Sequence, residues 1–305
     1  MPVFSFFVNA NLVGGGTIDD AGVHNTMQFR SRFLILCAAL ACVLNAGTPV
    51  QAAPLAGGDA WERWRPAAEV VRLQVDHAPW GALLLTYLEA NDPSGINRFA
   101  YDAVTIADRE LLDSYINSLS MLPVARLTPL QQQAYWINLY NALTVQVILD
   151  HPGVSSIREI RSGWFSPGPW DLKLVEVNGV ALTLNDIEHR ILRPIFGDPR
   201  VHFAVNCASL GCPNLGAEPY LADRLDVQLD TAARAFINHP RGASISDSRL
   251  TLSSIFKWYG DDFGATVAER LEWIAAYAKP GLSEQLTGWD GRVSYEYDWR
   301  LNAPG

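Results

Sequence analysis

TPLQQQAYWINLYNALTVQVILD, residues 128–150, is the clearest helical pattern in the chain and decides how the rest is read. Thr128 is suited to cap the helix, and Pro129 falls at the first helical position, where a missing amide proton costs nothing. Tyr135, Leu139, Leu143 and Val147 line one side, and Trp136, Tyr140 and Ile148 extend the apolar coverage around most of the circumference. A helix so extensively apolar belongs at the centre of a domain. Asn138 and Asn141 are its anomalies, because a buried amide must be hydrogen-bonded. Either they brace neighbouring loop backbone, or one of them faces a reactive centre.

Working outward, His151-Pro152-Gly153 ends the helix, and Ser156–Ile160 is a short amphipathic segment. A Gly/Pro loop follows with Trp164, Phe165 and Trp170, which either pack over the next hairpin or wall a cleft that Asp171 enters. Leu172–Val177 alternates like a strand, Asn178-Gly179 is a two-residue hairpin turn, and Val180–Leu184 returns. Asn185 or Asp186 then caps a helix through Arg193, stopped by Pro194, and His202–Val205 reads as a short strand. Residues 220–239 and Val267–Ala278 are amphipathic helices, Ser254–Trp258 a brief one, and Leu250–Leu252 and Val293–Tyr297 strands. Upstream, Ala60–Val75, Trp80–Leu88 and a segment capped by Thr105 are helical candidates. This order has no βαβ cadence, no internal repeat and no Gly-rich phosphate loop. It predicts an α+β domain, a helical amino-terminal portion packed on a small, mostly antiparallel sheet. An independent helical domain before residue 120 is the competing division.

The front of the chain reads as a leader. Met27 opens MQFRSRFLILCAALACVLNAGTPVQAAP, with Arg30 and Arg32, an apolar run from Phe33 to Leu44, and the small-residue signal Val50-Gln51-Ala52. Residues 1–26 are then a misplaced start, 27–52 a signal peptide, 53–94 a helical extension and 95–305 the main domain. Leu40-Ala41 before Cys42 leaves a lipid-modified cysteine as an alternative. The expectation is a periplasmic or secreted protein with no integral membrane segment after cleavage. The chain has 23 basic and 32 acidic residues, a net charge of −9, and no Lys/Arg patch, which argues against a nucleic-acid partner.

The chemistry-bearing side chains gather in DIEHRILRP and VHFAVNCASLGCPNL. Cys207 ends an apolar segment, where a cysteine is a buried hydrophobe, a disulfide partner of Cys212, or a nucleophile with a lowered pKa. His202 lies five residues earlier in the expected strand and would point to the opposite face. His189, from a different element, is therefore the better candidate base, with Glu188 beside it and Asn206 as an oxyanion donor. Asp186 is read as a helix cap. Zinc has N and S ligands to choose from in Cys207, Cys212, His189 and His202, but no pair has the tight spacing of common sites, and neither a metal nor a cofactor is assigned.

YWINLYNALTVQVILDHP, GPWD, LNDIEHRILRP, DPRVHFAVNCASLGCPNL, LSSIFKWYGDDFG and YEYDWRLN together resemble the DUF547 family, a domain of unknown function, over roughly residues 95–300. A more distant similarity is to the papain-like and transglutaminase-like cysteine-hydrolase architecture, in which a central helix supplies the nucleophile. The helix carrying Trp136, Asn138 and Asn141 has no cysteine, so the likeness implies either a site rebuilt around Cys207 or the fold kept without the activity. Two functions follow as expectations. One is a thiol-dependent hydrolase or acyl transferase for amide or ester bonds in a peptide-like or glycan substrate. The other is a non-catalytic envelope domain that binds peptide, glycan or protein and carries a Cys207–Cys212 disulfide.

Overall fold

The computed structural model describes residues 61–71, 73–163 and 166–305. The expected leader, the misplaced start and the residues Trp164 and Phe165 lie outside the described residues. No described helix is long and apolar enough to cross a membrane.

Three helices build the amino-terminal part: α1 (Ala78–Tyr87), α2 (Ile106–Ser120) and α3 (Pro129–Leu149). Their starts follow the sequence signals. Thr105 accepts from Asp108 N, and Thr128 with Gln131 forms a reciprocal capping box ahead of Pro129. Helix α3 is buried on every side from Gln132 to Val145. Of the expected Ala60–Val75 helix, the described residues 61–71 and 73–75 form no α-helix. They hold only a 3-10 turn at Glu62–Trp64, whose Trp64 packs edge-on against Trp136 at 5.2 Å between ring centres. Pro66 explains the stop, since it disfavours helical backbone at the residue before it.

The strands form four small sheets rather than one. Antiparallel pairs join β1 (Leu88–Glu89) to β2 (Arg98–Phe99), β3 (Arg161–Gly163) to β4 (Ser166–Pro167), and β5 (Val175–Val177) to β6 (Val180–Leu182). The β5–β6 turn is the expected Asn178-Gly179, both at positive φ (46° and 78°), as the tight hairpin requires. After α4 (Leu225–Ile237), strands β7 (Ala243–Ser246) and β8 (Arg249–Ser253) pair antiparallel. Four helices, α5 (Ile255–Trp258), α6 (Gly260–Phe263), α7 (Val267–Tyr277) and α8 (Pro280–Leu286), then lead to β9 (Val293–Glu296), which lies parallel to β8. The architecture is α+β with mainly antiparallel pairing, and among the described residues no larger sheet closes it into a barrel-like core.

Two elements near the site differ from expectation. The helix expected to stop at Pro194 runs from Asp186 to Phe196 as a π-helix. Its wider turn moves the carbonyl four residues back away from the proline ring, which removes the clash that ends an α-helix. Its cap is Thr183, not Asn185 or Asp186: Thr183 Oγ1 accepts from Asp186 N (2.9 Å) while Asp186 Oδ2 accepts from Thr183 N (3.0 Å). Second, residues 202–205 are not a strand. Pro199–Phe203 is a 3-10 helix, opened by Asp198 accepting from Arg200 N. A short apolar run carries no period that separates these choices.

The buried side chains form two clusters, one around α1–α3 and the π-helix, the other around α4, β8 and α7. Phe203 packs in the second, whereas Val201, Ala204, Val205 and Ala208 pack in the first. The segment that carries Cys207 therefore runs along the seam between the two.

Candidate functional site

A cavity of about 210 Å³ opens on this seam. Glu188, His189, His202, Cys207 and Cys212 all line it, together with Tyr140, Trp170, Tyr259, Tyr297 and Trp299. The π-helix supplies the first two, the 3-10 helix His202, the loop after it the cysteines, and the chain end after β9 supplies Tyr297 and Trp299.

The asparagines of α3 hold the scaffold rather than face the cavity. Asn141 Nδ2 donates to Ala204 O (2.9 Å), and its Oδ1 accepts from Asn206 N (2.8 Å). Asn138 makes the same two-way contact with Tyr220, donating to its carbonyl (2.8 Å) and accepting from its amide (2.9 Å). The loop beyond is held by its own side chain and by the chain end. Asn206 Nδ2 donates to Pro213 O and its Oδ1 accepts from Ala208 N, so Asn206 is buried beneath the loop and does not line the cavity. Leu210 N and Gly211 N donate to Arg300 O and Asp298 O. A Cβ on Gly211 would meet Asp298 N at 2.6 Å, so this approach requires glycine. Ala208, next to Cys207, sits at φ 55°, a left-handed conformation unusual for alanine.

Cys207 and Cys212 are not bonded to each other; their Sγ atoms lie 3.2 Å apart. Cys207 N donates to Cys212 Sγ (3.0 Å). Cys207 Sγ also touches Tyr297 Oη (3.0 Å) and Ser209 Oγ (3.3 Å). The Cys212 thiol hydrogen bond is the main influence that lowers the Cys207 pKa; burial opposes it, and the Ser209 and Tyr297 hydroxyls reinforce it. Burial, with Cys207 beside it, pushes Cys212 well above its ordinary value. Tyr297 is likewise raised, chiefly by burial, so its hydroxyl keeps its proton to donate.

The imidazoles behave differently from one another. His202 is held on both sides by carboxylates: Nε2 lies 2.7 Å from Asp262 Oδ2, and Nδ1 lies 3.5 Å from Glu188 Oε1. The second contact is an ion pair without hydrogen-bond alignment. Burial works against the charged ring, but the Asp262 and Glu188 carboxylates outweigh it and raise its pKa. Its face stacks on Tyr259, with ring centres 4.3 Å apart. Asp262 in turn receives Arg193 through two bonds (2.6 and 2.9 Å), and Glu188 receives Tyr140 Oη (3.1 Å). Both carboxyls are lowered despite burial, by their imidazole and hydrogen-bonding partners. The result is a chain of alternating acidic and basic groups, Glu188, His202, Asp262, Arg193.

His189 is left outside this chain. Burial lowers its pKa, opposed by Glu188, whose Oε1 is 4.0 Å from Nδ1. Arg193 Nη1 donates to Nδ1 (3.3 Å). A guanidinium can only donate, so the neutral ring carries its proton on Nε2.

The expected residues thus converge on one cavity, apart from Asn206, but no hydrogen bond joins either histidine to Cys207. Asp171 does not enter the cavity; it accepts from Asn185, which does line it. Among the described residues no three His, Cys, Asp or Glu side chains come together as a metal site. Asp262, Arg193, Tyr259 and Tyr297 were not singled out from the sequence. Asp262 and Tyr297 lie 60 and 90 residues from their partners His202 and Cys207, so no local spacing reveals them.

The fold and site define an α+β domain with a thiol and an imidazole facing one small aromatic-walled cavity. Residues 124–237 match the family described as "Protein of unknown function, DUF547". The matched span covers α3, the β5–β6 hairpin, the π-helix, the cysteine loop and α4; Asp262 and Tyr297 lie beyond it. No curated protein and no solved structure matches the chain.

Proposed function

We propose that the domain is a thiol-dependent hydrolase or acyl transferase acting on amide or ester bonds. The observation that carries this reading is the setting of Cys207: a sulfur at a cavity wall, lowered in pKa, with the Tyr297 and Ser209 hydroxyls and the Cys212 sulfur around it. A thiol lowered in this way supplies more of the thiolate that attacks a carbonyl. The hydroxyls of Tyr297 and Ser209 then serve the oxyanion, the leaving group takes its proton from a water whose hydroxide goes on to cleave the thioester, and neutral His189 orients that water by an Nε2 hydrogen bond. Glu188 keeps its place beside His189 through His202 and Tyr140. Asn206 contributes by shaping the loop that presents the sulfur. The distant papain-like similarity supplies the chemical analogy, with the nucleophile moved from the central helix to this loop.

The aromatic walls suit a peptide-like or glycan-linked acyl group. The leader read in the sequence supports a periplasmic or extracellular setting. The same walls favour one rival reading, a non-catalytic binding domain: Trp258 is 46% exposed and packs against Tyr297 and Trp299.

Activated esters and iodoacetamide separate the two. The reduced protein should label at Cys207 at neutral pH and turn over an activated ester. Cys207→Ala should lower that turnover at least about a thousandfold. Unchanged turnover in Cys207→Ala sinks the catalytic reading.

A further inference from the structure

We propose that Cys207 and Cys212 are a redox-active pair, in which Cys207 reacts with small hydroperoxides and Cys212 resolves the product to a disulfide. The proposal rests on reading Cys207 as a stabilised thiolate, but not on its attacking a carbonyl.

The pair is asymmetric in the sense this chemistry needs. Both line the cavity, but Cys207 is partly exposed whereas Cys212 is buried. Burial holds Cys212 well above its ordinary pKa while Cys207 is lowered, so Cys207 is the first of the pair to ionise. With Sγ atoms 3.2 Å apart, a bond of about 2.05 Å needs an approach of only about 1.2 Å. That motion stays within one loop, whose ends are fixed at Asn206 by Asn141 and at Leu210 and Gly211 by the chain end. A cavity of about 210 Å³ walled by aromatic rings admits hydrogen peroxide or a small alkyl hydroperoxide.

The steps balance. The Cys207 thiolate bonds to one peroxide oxygen, and the O–O bond breaks with its electron pair on the other. That oxygen takes the Tyr297 hydroxyl proton, which solvent restores, and leaves as water or an alcohol. Cys207 is now a sulfenic acid. Cys212 loses its proton to the departing hydroxyl and attacks Cys207 Sγ; the S–O bond breaks and water leaves. One hydroperoxide is reduced by two electrons, and two thiols become one disulfide. An external thiol reverses the change. The disulfide caps the nucleophile and protects it from the irreversible acids further along the oxidation series.

Arg200 and Arg224 bound a tryptic peptide, residues 201–224, that contains both cysteines and neither Cys37 nor Cys42. The reduced full chain is treated with a roughly tenfold excess of hydrogen peroxide at neutral pH, alkylated and digested. In the wild type this peptide should escape alkylation at about 2 Da below its dithiol mass, and return to double alkylation after dithiothreitol. In Cys212→Ala, Cys207 should instead retain about 32 Da as a sulfinic acid. In Cys207→Ala, Cys212 should stay alkylatable. A wild-type peptide still doubly alkylated after peroxide overturns the proposal, as do equal oxygen adducts in wild type and Cys212→Ala. Ester turnover on the reduced protein is read separately. A silent ester assay with the disulfide formed removes the hydrolase reading alone; ester turnover with no disulfide removes this one alone.

Discussion

The two walls of the cavity are built from different materials. On the π-helix side every charge has an opposite partner: Glu188 with His202, His202 with Asp262, Asp262 with Arg193. On the cysteine side the sulfur is surrounded by neutral donors, the Cys212 thiol and two hydroxyls. A closed chain of ion pairs fixes geometry and resists titration, because each group stabilises the charged form of the next. Neutral donors also favour the thiolate but leave it free to react. The contrast sets the two imidazoles apart: His202 is held between two carboxylates and His189 lies outside that chain, although both line the same space.

The strongest way to break the charged wall is Asp262→Asn. His202 and Arg193 would then face a neutral amide, His202 with Glu188 only at 3.5 Å. Stripping one member from a mostly buried ionic chain should cost about 2 kcal/mol, discounted because the Asp262 side chain is a quarter exposed. Urea unfolding should show it as a lower midpoint at unchanged slope. If the walls are separate, iodoacetamide labelling of Cys207 in the folded variant should change by less than about twofold. A tenfold loss of labelling would show that the charge chain holds the thiolate as well.

The contrast also explains which parts were legible in the sequence. Helix α3, its Thr128 cap and the Asn178-Gly179 turn are local, and each follows from a short pattern with one physical solution. The convergence of His189, Glu188 and Cys207 was legible as a cluster of reactive residue types. Their partners were not. Asp262 reaches His202 from α6, and Tyr297 reaches Cys207 from beyond β9, contacts that only the tertiary fold creates. The 3-10 turn at Pro199–Phe203 was misread because a few apolar residues fit strand or helix equally. That error had a functional consequence, since strand alternation would turn His202 away from a cavity it in fact lines. Pro194 misled for a related reason: a proline stops an α-helix, but the wider π-helix carries it.

Tyr297→Phe tests the neutral wall with a smaller change. It removes one hydroxyl from the sulfur and keeps the ring that packs on Trp258 and Trp299. One of three donors to the thiolate is lost, so the Cys207 pKa should rise. The iodoacetamide rate against pH should move to higher pH, with about a three- to tenfold lower rate at neutral pH and little change in stability. An unshifted profile would leave Cys212 and Ser209 as the sufficient donors.

The smallest effect is a sign, and it tests whether His202 is charged at all. The Glu188 and Asp262 pKa values are lowered from 4.5 and 3.8, so their stabilising contribution is present above those values and lost as pH falls through the folded ones. The His202 pKa is raised from 6.5, so its contribution is complete below 6.5 and lost as pH rises through its folded value. All three contributions are complete together between about pH 4.5 and 6.5, the unfolded values of Glu188 and His202. Replacing His202 by glutamine keeps a polar side chain of similar reach and removes the charge. The difference in melting temperature between wild type and His202→Gln should be largest inside that window and shrink on both sides. The remaining advantage at high pH measures the packing of the ring on Tyr259. A difference that instead stays level from pH 5 to 9 would mean a neutral His202, and Glu188 would then be the unpaired charge nearest the sulfur.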